Sequence, residues 1–465
     1  MAVCLVAAVN ASSFLLVGLV SVAVGLYPAY RLLSGRERDV FAPIHLFVLY
    51  IVFTVHVRTL VITNGNSGIL QPLYDSGSEE LRGLLGLGLA ATALFLVFLY
   101  IGYYGKLAER LCAPVPRLTS SPPEHPEVLA ALLLAAGISI PIGALLHSLI
   151  GEAVAAGQFT AVTRVGGIFW MGYLLRFAVF GAMIPFVVVL MRPGRLPIVV
   201  TAVFAILAAL GVFVLWPKKI VLANQMLALL VSFHYLRHRI RPRTVVIAGA
   251  VALLSLPLLS AFRYWGFEGL STTKLVQLSE LVWNNPSYLF RDLFTRSFGA
   301  ESLVLIFDHF RRTPVYEFGG TFLEATRWFI PRSLWPEKPP TYAITFGQQF
   351  LARTNFFSVN VSGTPTVVGE LFLNFGLPGL TVGAWMVGVF LRIPYTYLIA
   401  KGTSMGSVLL YATFLAGAVI LVEGPIEPQL MDMFVSLSFV GVLLFTMEAV
   451  HRGIRAWPAP HGGVE

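Results

Sequence analysis

Leu84-Leu85-Gly86-Leu87-Gly88-Leu89-Ala90-Ala91-Thr92-Ala93-Leu94-Phe95-Leu96-Val97-Phe98-Leu99-Tyr100-Ile101-Gly102-Tyr103-Tyr104 carries no charged side chain. About 20 apolar residues in a helix cross the roughly 30 Å hydrocarbon core of a bilayer, and this stretch is long enough. Similar runs recur along most of the chain. They place spans near 10–30, 41–62, 84–104, 128–150, 166–190, 197–216, 219–236, 244–262, 366–391, 404–422 and 430–450. The composition agrees, with 57% hydrophobic and 12% charged residues and a mean hydropathy of +0.79. A soluble chain carries roughly twice that charged fraction. The sequence therefore predicts an all-α polytopic membrane protein of about eleven transmembrane helices. Residues 1–262 form an N-terminal membrane bundle of about eight spans in this reading. Residues 263–364 form one large outer loop with short helices, and 365–465 a C-terminal bundle of about three spans.

Several function classes drop out early. Cys4 and Cys112 precede the first span and sit in a cytoplasmic loop, so no disulfide framework is expected. No small-residue cleavage site follows the first apolar run, which is read as a retained span. The net charge of +9 resides in loops between spans and gives no reason to expect a nucleic-acid partner. There is no Walker-type glycine loop, His-Glu-x-x-His, cysteine pair or Asp-x-Asp. No metal and no cofactor is therefore expected.

Cytoplasmic loops are enriched in Lys and Arg, which sets orientation. One alternate set of loops holds Arg31, Arg36, Arg38, Lys106, Arg110, Arg117, Arg192, Arg195, Arg237, Arg239, Arg241, Arg243, Arg392, Lys401, Arg452 and Arg455. The opposite short loops hold only Arg82, Arg164, Lys218 and Lys219. The N-terminus is thus expected outside, the C-terminus in the cytoplasm and the long loop outside. This order depends on the tight Trp216–Lys219 turn separating two crossings. Arg58 and Arg176 remain inside spans, where each costs at least about 3 kcal/mol unless paired or hydrated. Arg58 lies near the outer end of its span and has snorkelling open to it. Arg176 is deeper and calls for a buried partner or polar cavity. His45, His56 and His147 match no metal spacing and read as interfacial or hydrogen-bonded core residues.

The outer loop breaks the charge rule. It carries 10 of the 32 Lys+Arg: Arg263, Lys274, Arg291, Arg296, Arg311, Arg312, Arg327, Arg332, Lys338 and Arg353. Thr272–Trp283 has the apolar spacing of a helix lying on a membrane surface. Ser287–Phe310 reads as helical, partly buried and too charged to span. Gly319-Gly320-Thr321-Phe322 and then Phe329-Ile330-Pro331-Arg332-Ser333-Leu334-Trp335-Pro336-Glu337-Lys338-Pro339-Pro340 read as irregular, since Pro and Gly oppose a continuous helix. Pro also stiffens the backbone that displays Arg332 and Lys338. Contact with lipid headgroups and binding of an anionic substrate both fit these cations. In the next span Glu370 and Asn374 are four apart and share one helix face. Pro378-Gly379 allows a kink there. Glu370 suits either a structural ion pair, or a carboxylate that takes a proton or orders phosphate-binding arginines. Glu423-Gly424-Pro425-Ile426-Glu427 forms a second acidic patch, in which Glu423 reads as a solvated loop residue.

The order of these pieces resembles the bacterial oligosaccharide repeat-unit polymerases, the Wzy-type O-antigen and exopolysaccharide polymerases. The likeness rests on a span ending at Arg263, an outer Arg-rich loop, Ile-Pro-Arg-Ser-Leu-Trp-Pro-Glu-Lys-Pro at 330–339 and Gly-Glu-Leu-Phe-Leu-Asn-Phe-Gly-Leu-Pro-Gly at 369–379. It is specific over about Arg263–Gly379. It implies a GT-C-like glycosyltransferase in the bacterial inner membrane, acting at the outer face on a polyprenyl-diphosphate-linked oligosaccharide. Membrane lipid, a chain-length regulator and a flippase are the implied partners. Arginines stabilise a departing diphosphate without metal, and the acceptor hydroxyl benefits from a base. On that resemblance Arg263, Arg332 and Lys338 are assigned to the diphosphate, with Arg296, Arg327 and Arg353 behind them. Glu370 is the preferred carboxylate and Glu427 the reserve, while Trp335 and Asn374 are assigned to sugar. An O-antigen ligase or another GT-C enzyme is the nearest alternative. A transporter of lipid-linked sugars predicts cations within the spans and short outer loops instead.

Overall fold

The computed structural model describes residues 11–64, 78–115, 125–155, 168–191, 194–215, 219–245, 299–328, 342–351, 364–400 and 402–456, with isolated positions between. Among the described residues every regular element is helical. In chain order these are α1 (Ala11–Gly25), α2 (Tyr27–Leu33), α3 (Pro43–Thr63, with a π-helical turn at Val52–Val57), α4 (Ser78–Tyr104) and α5 (Leu107–Cys112). Next come α6 (His125–Ala155), α7 (Ile168–Leu174), α8 (Arg176–Leu190), α9 (Leu196–Leu215) and α10 (Lys219–Leu236). The remainder are α11 (Gly299–Arg312), α12 (Gly320–Trp328), α13 (Tyr342–Phe346), α14 (Thr366–Ala400), α15 (Met405–Ile420) and α16 (Ile426–Ala456).

Among the described residues, seven stretches are long and apolar enough to cross a membrane: Pro43–Thr63, Glu79–Cys112, His125–Leu149, Met171–Leu190, Pro197–Leu215, Thr366–Ala400 and Ile426–Gly453. Ser13–Gly25 and Tyr27–Leu33 pass the same test together, bent by 43°. Val221–Leu236 and Met405–Ile420 are shorter apolar helices. The chain is a multi-pass all-α membrane protein. Most of the span expected near 244–262 and most of the surface helix expected over 272–283 lie outside the described residues. Helices α9 and α10 pack on one another, so they form a hairpin and not one long crossing.

Two compact units interleave along the sequence. The first comprises Met1–Val115, Phe290–Tyr397 and Gly417–Met433, so pieces of the N-terminal bundle, the outer loop and the C-terminal bundle build it jointly. Its centre is α4, which packs against α1, α11 and the second half of α14. Backbones meet closely there. A Cβ on Gly102 would run into the carbonyl of Trp385, and one on Gly388 into the carbonyl of Leu99. Small residues allow such approach where lipid supplies no hydrophobic drive between helices.

The second unit comprises Pro116–Leu289, Leu398–Ala416 and Phe434–Glu465. Its core gathers around α8, with Phe177, Met183, Phe186 and Val187 packed among Ala131, Leu229, Leu409 and Leu443. Arg176, deep in a span, donates to the Ser436 hydroxyl at 3.0 Å and lies 4.4 Å from the Tyr173 ring centroid. That is the buried partner its position demanded. His147 is exposed, whereas His56 is buried and 2.7 Å from the Ser21 hydroxyl.

Replacing Gly388 by Leu forces the two helices apart or the side chain off-rotamer, at a cost of about 1–3 kcal/mol or more. A lowered unfolding midpoint of the detergent-solubilised chain is the expected result, with Gly211→Leu, which has open space around it, near wild type.

Candidate functional site

Helix α14 cannot run unbroken. Gly376 adopts φ 62° and ψ −137° inside it, a conformation open to glycine and strained for other residues. The Tyr316 ring presses on that glycine, and a Cβ there would stand 2.8 Å from the Tyr316 hydroxyl. A break of this kind orphans the carbonyls before it. The 316–319 segment supplies the missing donors: Glu317 N–H reaches Leu373 O at 3.1 Å and Phe318 N–H reaches Asn374 O at 3.2 Å. The kink expected at Pro378–Gly379 therefore falls at Gly376, because φ rather than the absence of an N–H decides it.

Next to this cap lies a buried polar node. Glu370 and Asn374, one turn apart on α14, are both 0% exposed. Glu370 Oε1 accepts from the Thr321 hydroxyl at 2.8 Å, and Oε2 accepts from the backbone N–H of Ile426 at 2.5 Å. Asn374 Nδ2 donates to Thr321 Oγ1 and to the Glu370 carbonyl, both at 2.8 Å. Its Oδ1 accepts from Gly319 N–H at 2.8 Å. Val367 N–H, at the start of α14, donates to Val422 O at 3.2 Å. One carboxylate and one amide thus tie together the 316–321 segment, the α14 helix and the start of α16.

Gly319 and Gly320 do not interrupt a helix, as their composition suggested; they start one. Gly319 takes φ 87°, the chain turns, and α12 runs from Gly320 with Thr321 in its first turn. In the proline segment Lys338 N–H closes on Trp335 O at 3.0 Å and Lys338 Nζ donates to Ile330 O at 3.1 Å. Arg327 is exposed in the last turn of α12, Trp335 is partly buried, and Glu427 is buried beside Ile426. The structure brings Glu370 and Asn374 together and seats the turn before Glu427 on them. Lys338 and Trp335 share the turn that follows α12. Arg263, Arg296, Arg332 and Arg353 lie outside the described residues.

The sequence reading missed two further contacts. Arg58 does not snorkel. Its Nε and Nη2 both engage Glu301 Oε1, the former at 2.5 Å, with Arg58 3% and Glu301 0% exposed. Removing one partner of such a pair strands the other, at about 3–5 kcal/mol. Glu423, read as a solvated loop residue, is partly buried and hydrogen-bonded to Tyr50. Tyr50 and Arg58 are separated by about two turns of α3, so one helix reaches both carboxylates. A lone acid in the apolar run Ala300–Phe307 was the available signal for Glu301; nothing local pointed to Thr321.

Burial raises the Glu301 and Glu423 carboxyls above their ordinary 4.5, opposed by Arg58 in the first case and by the Tyr50 hydrogen bond in the second. Such a group binds its proton more tightly in the folded chain. Its contribution to stability is complete below about pH 4.5 and is lost as pH rises through the raised folded value. Glu423→Gln is neutral throughout, so it should flatten the decline in unfolding temperature as pH rises above about 4.5. Thr321→Val keeps the shape but removes the donor to Glu370 and the acceptor for Asn374. It should cost about 1–3 kcal/mol in denaturant unfolding of the full chain.

No protein-family model matches this chain, and no curated protein or solved structure does either.

Proposed function

We propose that this chain is a membrane glycosyltransferase that polymerises polyprenyl-diphosphate-linked oligosaccharide repeat units. In this reading it belongs with the Wzy-type polymerases and has a GT-C-like arrangement of eleven spans. It works at the outer face of a bacterial cytoplasmic membrane, with the N-terminus outside, the C-terminus in the cytoplasm, and a flippase and a chain-length regulator as partners. The observation that carries the proposal is the Glu370–Thr321–Asn374 node. It fastens the start of the proline-stiffened, cation-bearing outer segment to a helix that runs into a membrane-spanning stretch. A loose basic loop would serve any lipid headgroup, whereas a loop held in register at several points suits one anionic ligand.

The chemistry follows from the charges. The acceptor hydroxyl attacks the anomeric carbon of the growing glycan, and the bond from that carbon to the diphosphate breaks. Arg263, Arg332 and Lys338, with Arg296, Arg327 and Arg353 in reserve, offset the charge that develops on the leaving diphosphate. No metal is needed for that role. Glu370 is better suited to positioning than to proton transfer, because both of its oxygens already accept hydrogen bonds. Asn374, fully engaged with Gly319, Thr321 and the α14 backbone, is likewise a positioning residue and not a sugar contact.

The test is extension of a purified polyprenyl-diphosphate-linked repeat unit by the chain in lipid nanodiscs. Products heavier by whole repeat units are expected. Arg332→Ala should slow their formation about 100-fold at an unchanged unfolding temperature. Lipid translocation without glycan growth would contradict the proposal and favour a transporter.

A further inference from the structure

In the first compact unit the buried carboxylate of Glu301 is held by the Arg58 guanidinium. Both guanidinium contacts from Arg58 fall on its Oε1. Its Oε2 is buried and accepts no hydrogen bond from any described residue. A buried charged oxygen left in that state is costly, and native structures seldom keep one without a partner or a task. Glu370, by contrast, accepts at each oxygen.

The surroundings of Glu301 are fixed by close backbone contacts. Gly299, the first residue of α11, sits on the carbonyl of Thr54, where a Cβ would stand 2.6 Å from that oxygen. Thr54 belongs to the π-helical turn that ends immediately before Arg58. Such turns change which side of a helix the following residues face, and they are frequent at functional sites. Ser302, the next residue, donates to the Thr364 carbonyl at 2.6 Å, at the entry to α14. On the other side α11 packs on α14: a Cβ at Gly369, beside Glu370, would lie 2.6 Å from Ile306. Glu301 is therefore held within the same helix pair as the Glu370 node.

We propose that Glu301 is the proton acceptor of the transfer reaction, receiving at Oε2 the proton of the attacking sugar hydroxyl, directly or through one water. This rests on the polymerase reading. The acceptor oxygen forms the new bond to the anomeric carbon, and the electron pair of the breaking bond leaves with the diphosphate. The hydroxyl proton moves to Glu301 and then to solvent. Arg58 holds Oε1 and so orients Oε2; it acts as a positioning residue. Burial, which raises the Glu301 carboxyl, suits a base that works near neutral pH. In the segments that pack against α11, namely 52–63 of α3, α4 and 366–378 of α14, the carboxylate, imidazole and guanidinium groups are His56, Arg58, Glu79, Glu80, Arg82 and Glu370. Of these His56 bonds to Ser21 and Glu80 pairs with Arg311, while Arg58 alone is seen on the Glu301 carboxylate among the described residues.

The test is the pH dependence of glycan extension by the full chain in nanodiscs. Glu301→Gln should lower kcat about 100-fold or more with KM for the lipid-linked substrate within about threefold, and should abolish the acidic limb of the pH profile. Arg58→Lys keeps a cation but loses the two-point grip on Oε1, so the acidic limb should move to higher pH. An E301Q enzyme at wild-type rate, or an R58K enzyme whose acidic limb has not moved, overturns the proposal. If E301Q does not fold, the R58K profile decides alone. Active wild type with active E301Q removes only the role of Glu301. Wild type that extends nothing removes the polymerase reading and this inference with it.

Discussion

A carboxylate buried at 0% exposure must have its charge answered, and at Glu370 that demand organises the first compact unit. Thr321 answers one oxygen and the Ile426 amide the other, 49 and 56 residues away. Asn374 closes the circuit by bonding Thr321 and Gly319. Neither donor belongs to α14. A helix with only apolar residues on this face would pack as well against lipid as against its neighbours, since apolar contact gives no preference between them. The polar node supplies the preference, and it fixes the 316–321 segment to one register on the membrane helix.

The break at Gly376 and the node act together. The break exposes the Leu373 and Asn374 carbonyls, and the 316–319 segment satisfies them while delivering Thr321 to Glu370. Strain on the chain is accepted at neighbouring positions: Phe318 has φ 46° and Thr366 φ 61°. Residues other than glycine occupy that region at a cost of about 1–3 kcal/mol each and persist where surrounding contacts hold them. Both positions flank segments of the node. Arg58–Glu301 and Tyr50–Glu423 extend the same logic along α3, each joining a span to a residue outside it.

Much of the architecture was legible from apolar run lengths, since a run such as Leu84–Tyr104 has no other stable place. The i, i+4 spacing of Glu370 and Asn374 likewise placed them on one face. The partners were not legible. Thr321 looked like part of a glycine-rich irregular stretch, and nothing local distinguishes a hydroxyl aimed at a distant carboxylate. Arg58 and Glu301 are 243 residues apart and meet through packing alone. Gly376 outranked Pro378 as the break because a positive φ is invisible in composition. Glu423 was misread as solvated for a related reason, as burial of a loop acid depends on a tyrosine brought from another helix.

Amide hydrogen exchange in the wild-type chain and in Glu370→Gln tests directly whether one carboxylate holds the three segments as a unit. Gln keeps one acceptor oxygen where the carboxylate has two, so either the Thr321 hydroxyl or the Ile426 amide loses its acceptor and the node should loosen throughout. The account predicts that protection falls together at Ile426, at Gly319 and across α12. Loss confined to Ile426, with Gly319 and α12 still protected as in wild type, would contradict it.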